Sequence, residues 1–94
     1  MKYDIDFTNV FKKQVRKLEK RGKNLNKLKD VIKKLASDIN LEEKYKDHQL
    51  VDDKNFKNCR ECHIEPDWLL IYQYQNDKLI LLLVETGSHS DLFK

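Results

Sequence analysis

Residues 59–85, "CRECHIEPDWLLIYQYQNDKLILLLVE", decide the fold. Three apolar and aromatic runs, 59–65, 68–75 and 78–85, are separated by Pro66-Asp67 and Asn76-Asp77. Each dipeptide suits a tight reversal, so the runs read as strands joined by antiparallel hairpins. The first run begins with Cys-x-x-Cys-His, the spelling of a c-type haem attachment site and of half a zinc site. In a strand, however, side chains alternate between faces. Cys59, Glu61 and His63 then share one face and Arg60, Cys62 and Ile64 the other. Cysteines on opposite faces cannot grip one haem or one zinc ion together, even with His48, His63 or His89 as further ligands. No metal and no cofactor is therefore expected. Cys62 reads as a small core residue and Cys59 as a partly exposed one.

Working toward the N-terminus, "KYDIDF" alternates strictly, with Tyr3, Ile5 and Phe7 on the side to be buried. That pattern predicts a half-buried strand. Thr8 or Asn9 offers a helix cap, and Phe11, Val15 and Leu18 form an apolar stripe that stops near Gly22. A second stripe, Leu25, Leu28, Ile32, Leu35 and Ile39, follows a start near Asn24 or Asn26. Two helices with so short a connection make an αα-hairpin. "LEEKYKDHQL" (41–50) predicts one more helical turn running into a loop that carries His48, and "VDDKNFKN" (51–58) a turn region. The order β-α-α-β-β-β predicts an α+β domain over residues 1–94: an N-terminal strand, an αα-hairpin, then a mostly antiparallel three-stranded meander and a short C-terminal segment.

Composition bounds the class. The chain has 94 residues, 39% hydrophobic and 37% charged, enough for one modest core under a strongly solvated surface. Its longest apolar run, "LILLLV" (79–84), is far too short to span a bilayer, and "MKYDIDF" has acids where a signal peptide is expected to have its apolar region. A cytoplasmic protein without membrane contact is expected. Charge is divided unevenly: residues 1–50 hold 14 Lys/Arg against 8 Asp/Glu, and residues 51–94 hold 5 against 8. Between Thr8 and Lys34 there are 11 basic residues and two acids, Glu19 and Asp30. Such a patch suits a polyanion or an acidic protein, or else two Lys-rich solvated helix faces.

All three histidines, His48, His63 and His89, lie where strand ends and hairpins can gather them with Asp67. Histidine can act as acid or base near neutral pH, which suits metal-free RNA cleavage by the ribose 2′-OH. Arg60 is a candidate for stabilising the phosphorane. Trp68, Tyr72 and Phe93 are candidates for stacking an unpaired base, with core packing the stronger reading for Tyr72.

The segments "KDHQL" (46–50), "RECHIEPDWLLIY" (60–72) and "TGSHSDLF" (86–93) resemble the YafQ family of bacterial toxins, within the RelE/ParE superfamily. The resemblance covers essentially the whole chain. It implies a RelE-like fold and a ribosome-dependent mRNA endoribonuclease, neutralised by a cognate acidic antitoxin and acting on mRNA amid ribosomal RNA. By the same resemblance His48, His63, Asp67 and His89 are the active-site residues, and Trp68 and Phe93 line the site. His89 is then the general acid, His63 or Asp67 the general base, and His48 a holder of the scissile phosphate. One position departs from the family pattern. Glu85 stands where relatives carry Arg, and no Lys or Arg lies between Leu79 and Phe93. The alternative is therefore a ParE-like or catalytically decayed relative that acts by binding protein. For Glu85 the expectation is an outward turn, away from the phosphate and toward a basic residue.

Overall fold

The structure, a computed structural model, describes residues 1–93. Five strands form one sheet in the order β1-β5-β4-β3-β2. They are β1 (Asp4–Phe7), β2 (His48–Gln49), β3 (Arg60–Glu65), β4 (Trp68–Gln75) and β5 (Ile80–Gly87). β1 runs parallel to β5 and all other pairings are antiparallel. The predicted element order and α+β class hold, with a two-residue strand where a loop was expected to carry His48.

The helices start and stop where their caps dictate. α1 (Asn9–Lys20) begins at Thr8, whose hydroxyl accepts the Phe11 N–H at 3.0 Å. It ends in a Schellman turn: Lys23 N–H reaches the Leu18 carbonyl, Gly22 N–H reaches Glu19, and Gly22 has φ 80°. α2 (Leu25–Ala36) begins at Asn24, whose side chain accepts the Asn26 N–H. Ser37 caps α2 at its C-terminus, so Ile39 lies beyond the helix and is 54% exposed. Val31 takes the buried place instead, between Leu28 and Leu35.

Both helices cover one face of the sheet. Phe11, Leu18, Leu28, Val31 and Leu35 pack there on Cys62, Trp68, Leu70, Tyr72, Leu81 and Leu83. The opposite face carries a smaller core that the sequence pattern did not reveal. Phe56 from the 51–58 segment and Leu92 from α3 (His89–Leu92) close over Cys59, Leu69 and Ile71. β4 is therefore apolar on both sides, which explains its unbroken "WLLIY". Cys59 and Cys62 do fall in different cores, on opposite faces of β3. Cys59 is buried, not partly exposed, because Phe56 folds over it. Burial pushes both thiols up, with Asp53 adding to the effect on Cys59.

β1 departs from the expected half-burial. Tyr3 is buried just before the strand, whereas Ile5 and Phe7 are 41% and 49% exposed. The strand is an edge strand with β5 as its only neighbour in the sheet, and Phe7 meets α1 at Phe11, at 6.3 Å between ring centroids. Among the described residues no helix is long and apolar enough to cross a membrane.

Candidate active site

The sheet face opposite the helices carries the histidines. β2 pairs His48 with Glu61 of β3, and alternation along β3 sets His63 beside Glu61. Glu61 is only 6% exposed. Its Oε1 stands 3.7 Å from His48 Nε2 and 3.5 Å from His63 Nε2. Glu61 was not among the expected site residues, although its parity along β3 places it on the face of His63.

Each imidazole is oriented through Nδ1. His48 Nδ1 lies 2.7 Å from the Lys46 carbonyl and His63 Nδ1 lies 3.2 Å from the Pro66 carbonyl. A carbonyl only accepts, so Nδ1 carries the proton in both rings and Nε2 is left for chemistry. His89 is held differently. It opens α3, a single turn closed by a capping box between Ser88 and Asp91. Asp67, in the β3–β4 turn, accepts both its backbone N–H at 2.9 Å and its ring Nδ1 at 2.7 Å. These two bonds hold the Asp67 carboxyl below the usual carboxylate range. Asp67 therefore remains an ionised acceptor throughout the neutral range, and the pairing is lost only as pH falls through that lowered value. His63 and His89 have ring centroids 5.7 Å apart.

The structure gathers His48, His63, Asp67 and His89, but not every predicted partner. Arg60 points to the helix side of the sheet. There Nη2 donates to Asp47 Oδ2 at 3.2 Å, Nε lies 3.4 Å from the Tyr72 hydroxyl, and that hydroxyl also binds Asp47. Arg60 shares Cys62's parity, so it anchors the residue preceding His48 and does not face the histidines. Trp68 is likewise on the helix side, 1% exposed, with Nε1 donating to Thr86 Oγ1 at 3.0 Å. It has no free ring face for a base. Phe93, 39% exposed and edge-on to Phe56 at 5.7 Å, is the predicted aromatic that lies on the histidine side.

Nearly the whole chain matches one family. The profile of the bacterial toxin of type II toxin–antitoxin systems, YafQ, matches residues 3–94. The chain belongs to the YafQ toxin family. It is 41% identical over 91 residues to the mRNA interferase toxin YafQ of Escherichia coli K12, covering 96% of this chain and 95% of that protein. Among solved structures, the E. coli DinJ–YafQ complex matches with a TM-score of 0.87 and 38% identity, covering 98% and 99% of the two chains. A metal-bound toxin from Helicobacter pylori matches with a TM-score of 0.89 and 42% identity, covering 97% and 99%.

Against the YafQ family pattern, Glu85 is resolved by a β-bulge. Ile71 pairs with Glu85 and Tyr72 with Leu83, leaving Val84 extra and breaking the simple alternation along β5. Glu85 turns to α1, where Oε1 accepts from Gln14 Nε2 at 2.8 Å. Its partner is an amide rather than the expected base. Glu85→Gln is expected to leave RNA cleavage unchanged and stability within about 0.5 kcal/mol, read by urea unfolding beside a cleavage assay. A tenfold loss of cleavage would instead make the carboxylate a working part of the site.

Proposed function

We propose that the chain is an mRNA interferase, cleaving ribosome-bound message in the cytoplasm and silenced by an acidic antitoxin. The observation that carries this reading is the pair of Nδ1-anchored imidazoles, His63 and His89, 5.7 Å apart beside the buried Glu61. That spacing lets two proton-transfer groups reach one phosphate.

His63 Nε2 takes the proton from the 2′-OH, with Glu61 alongside to share it. The 2′-oxygen attacks phosphorus as the bond to the 5′-oxygen breaks. His89 Nε2, its ring steadied by the Asp67 carboxylate, delivers the proton to that leaving oxygen. Asp67 is thus an orienting group, both its contacts being spent on His89, and His63 is the base. His48, with Nδ1–H bound to the Lys46 carbonyl, donates from Nε2 to the phosphate in its doubly protonated form, and Phe93 offers a face for an adjacent base. Arg21, in an ion pair with Asp91 at 3.3 Å, brings to α3 a cation that is missing at position 85 and that Arg60, held by Asp47, does not supply. Mapping the product ends tests the chemistry. A 2′,3′-cyclic phosphate and a 5′-hydroxyl are expected; a 3′-hydroxyl with a 5′-phosphate would exclude 2′-OH attack.

Ligand atoms of Glu61, His63 and His89 all lie within 4.8 Å of one another, a donor set that fits a divalent cation. A cation there would engage the nitrogens that this reaction needs free. Added zinc is therefore expected to inhibit cleavage, and a zinc chelator to restore it. Stimulation by zinc would contradict metal-free catalysis.

A further inference from the structure

A second concavity adjoins His63 on its α2 side. It has a volume of about 450 Å³ and is lined by Lys27 and Asp30 of α2, Lys44–Lys46 from the 3₁₀ turn Glu43–Tyr45 and the residue after it, and His63–Pro66 of the hairpin. We propose that this groove is a subsite for single-stranded RNA, holding message phosphates next to the scissile one. The proposal rests on the interferase reading and adds the residues that receive the flanking strand.

Three observations carry it. The groove shares His63 with the catalytic cluster, so the two places are contiguous at that residue, where the sheet border meets α2. Lys46 joins the two places covalently. It closes the 3₁₀ turn at φ 48°, its carbonyl fixes His48 Nδ1, and the residue itself lines the groove. The balance of charge is the third. Of the two acids on the wall, Glu65 is already paired with Lys23 at 2.8 Å and Lys27 at 2.9 Å, bonds that hold its carboxyl below the usual range. Asp30 is the other acid. Lys46 makes no ion pair among the described residues, and Lys44 reaches Glu42 only at 4.0 Å with its side chain 66% exposed. Two ammonium groups are thus available to phosphates. The Tyr45 ring on this wall lies 5.7 and 5.2 Å from the ammonium groups of Lys34 and Lys44. An acidic protein segment would also find cations here, but continuity with His63 favours the substrate.

The test combines Lys44→Gln and Lys46→Gln in a His89→Ala background, where bound message stays intact. Binding to message-programmed ribosomes is measured across a potassium chloride series. The double variant is expected to bind about tenfold more weakly, with the slope of log K against log salt shallower by about 0.7 per lost phosphate contact. With His89 present, kcat/KM should fall by the same factor, the loss carried by KM. Unchanged affinity and slope would overturn the proposal. So would weakened antitoxin binding with RNA binding intact, which would make the groove a protein contact. A chain that binds through these lysines yet never cleaves would refute the interferase reading while sustaining the subsite.

Discussion

Alanine at position 89 is expected to lower message cleavage by roughly 10²–10⁴-fold, the usual loss when a general acid or base is removed. The fold should survive. The His89 side chain is 54% exposed, on a single-turn helix held by the Ser88–Asp91 capping box and by its own backbone bond to Asp67. Such an exposed change normally moves stability by less than about 0.5 kcal/mol. Antitoxin affinity and the urea midpoint should therefore match those of the parent protein while toxicity on induction disappears. Asp67→Asn should lose part of the same rate, because an amide at that place no longer supports a protonated ring. If His89→Ala cut normally, the general acid would have to be another group.

Trp68→Ala should act on stability, at about 3–5 kcal/mol, the range for emptying a large aromatic site in a core. Trp68 is 1% exposed among Leu70, Tyr72 and the helices, with Lys23 lying 5.8 Å from its ring. Its indole N–H also fixes Thr86, whose hydroxyl donates to the Leu69 carbonyl, so the tryptophan ties the end of β5 to β4. A domain of this size has only about 5–15 kcal/mol in total, so the variant should unfold at much lower urea. Trp68→Phe fills most of the volume and should keep most of the stability and the cleavage rate. A base-stacking tryptophan would behave in the opposite way. Its alanine variant would keep its urea midpoint and lose substrate affinity.

The elements that local chemistry determines were legible in the chain. The helix starts were expected at Thr8 or Asn9 and near Asn24 or Asn26, and Thr8 and Asn24 are the caps; Gly22 marked the first helix end, and the three β-runs fell close to β3, β4 and β5. Parity along β3 correctly separated the two cysteines, and the family motifs gathered His48, His63, Asp67 and His89. What alternation does not say is which layer covers which face. Phe56 and Leu92 are distant in sequence from the strands they cover, so the second core and the burial of Cys59 had no local signal. The half-burial expected of β1 failed for the same reason, since nothing local says that a strand lies at the border. The bulge at Val84 likewise defeats counting along β5. Arg60 and Glu61 are a different matter. Parity had already placed Arg60 away from His63 and Glu61 beside it, and charge alone suggested the reverse.

The most direct test of the account is a leaving-group substitution. A message with sulfur replacing the 5′-oxygen at the scissile phosphate expels a thiolate that needs no proton. If His89 is the general acid, His89→Ala should cleave this substrate at nearly the parent rate while remaining crippled on ordinary RNA. His63→Ala should stay slow on both, because the 2′ proton must still be removed. Equal defects of His89→Ala on the two substrates would contradict the account and leave His89 as a group that only positions the message.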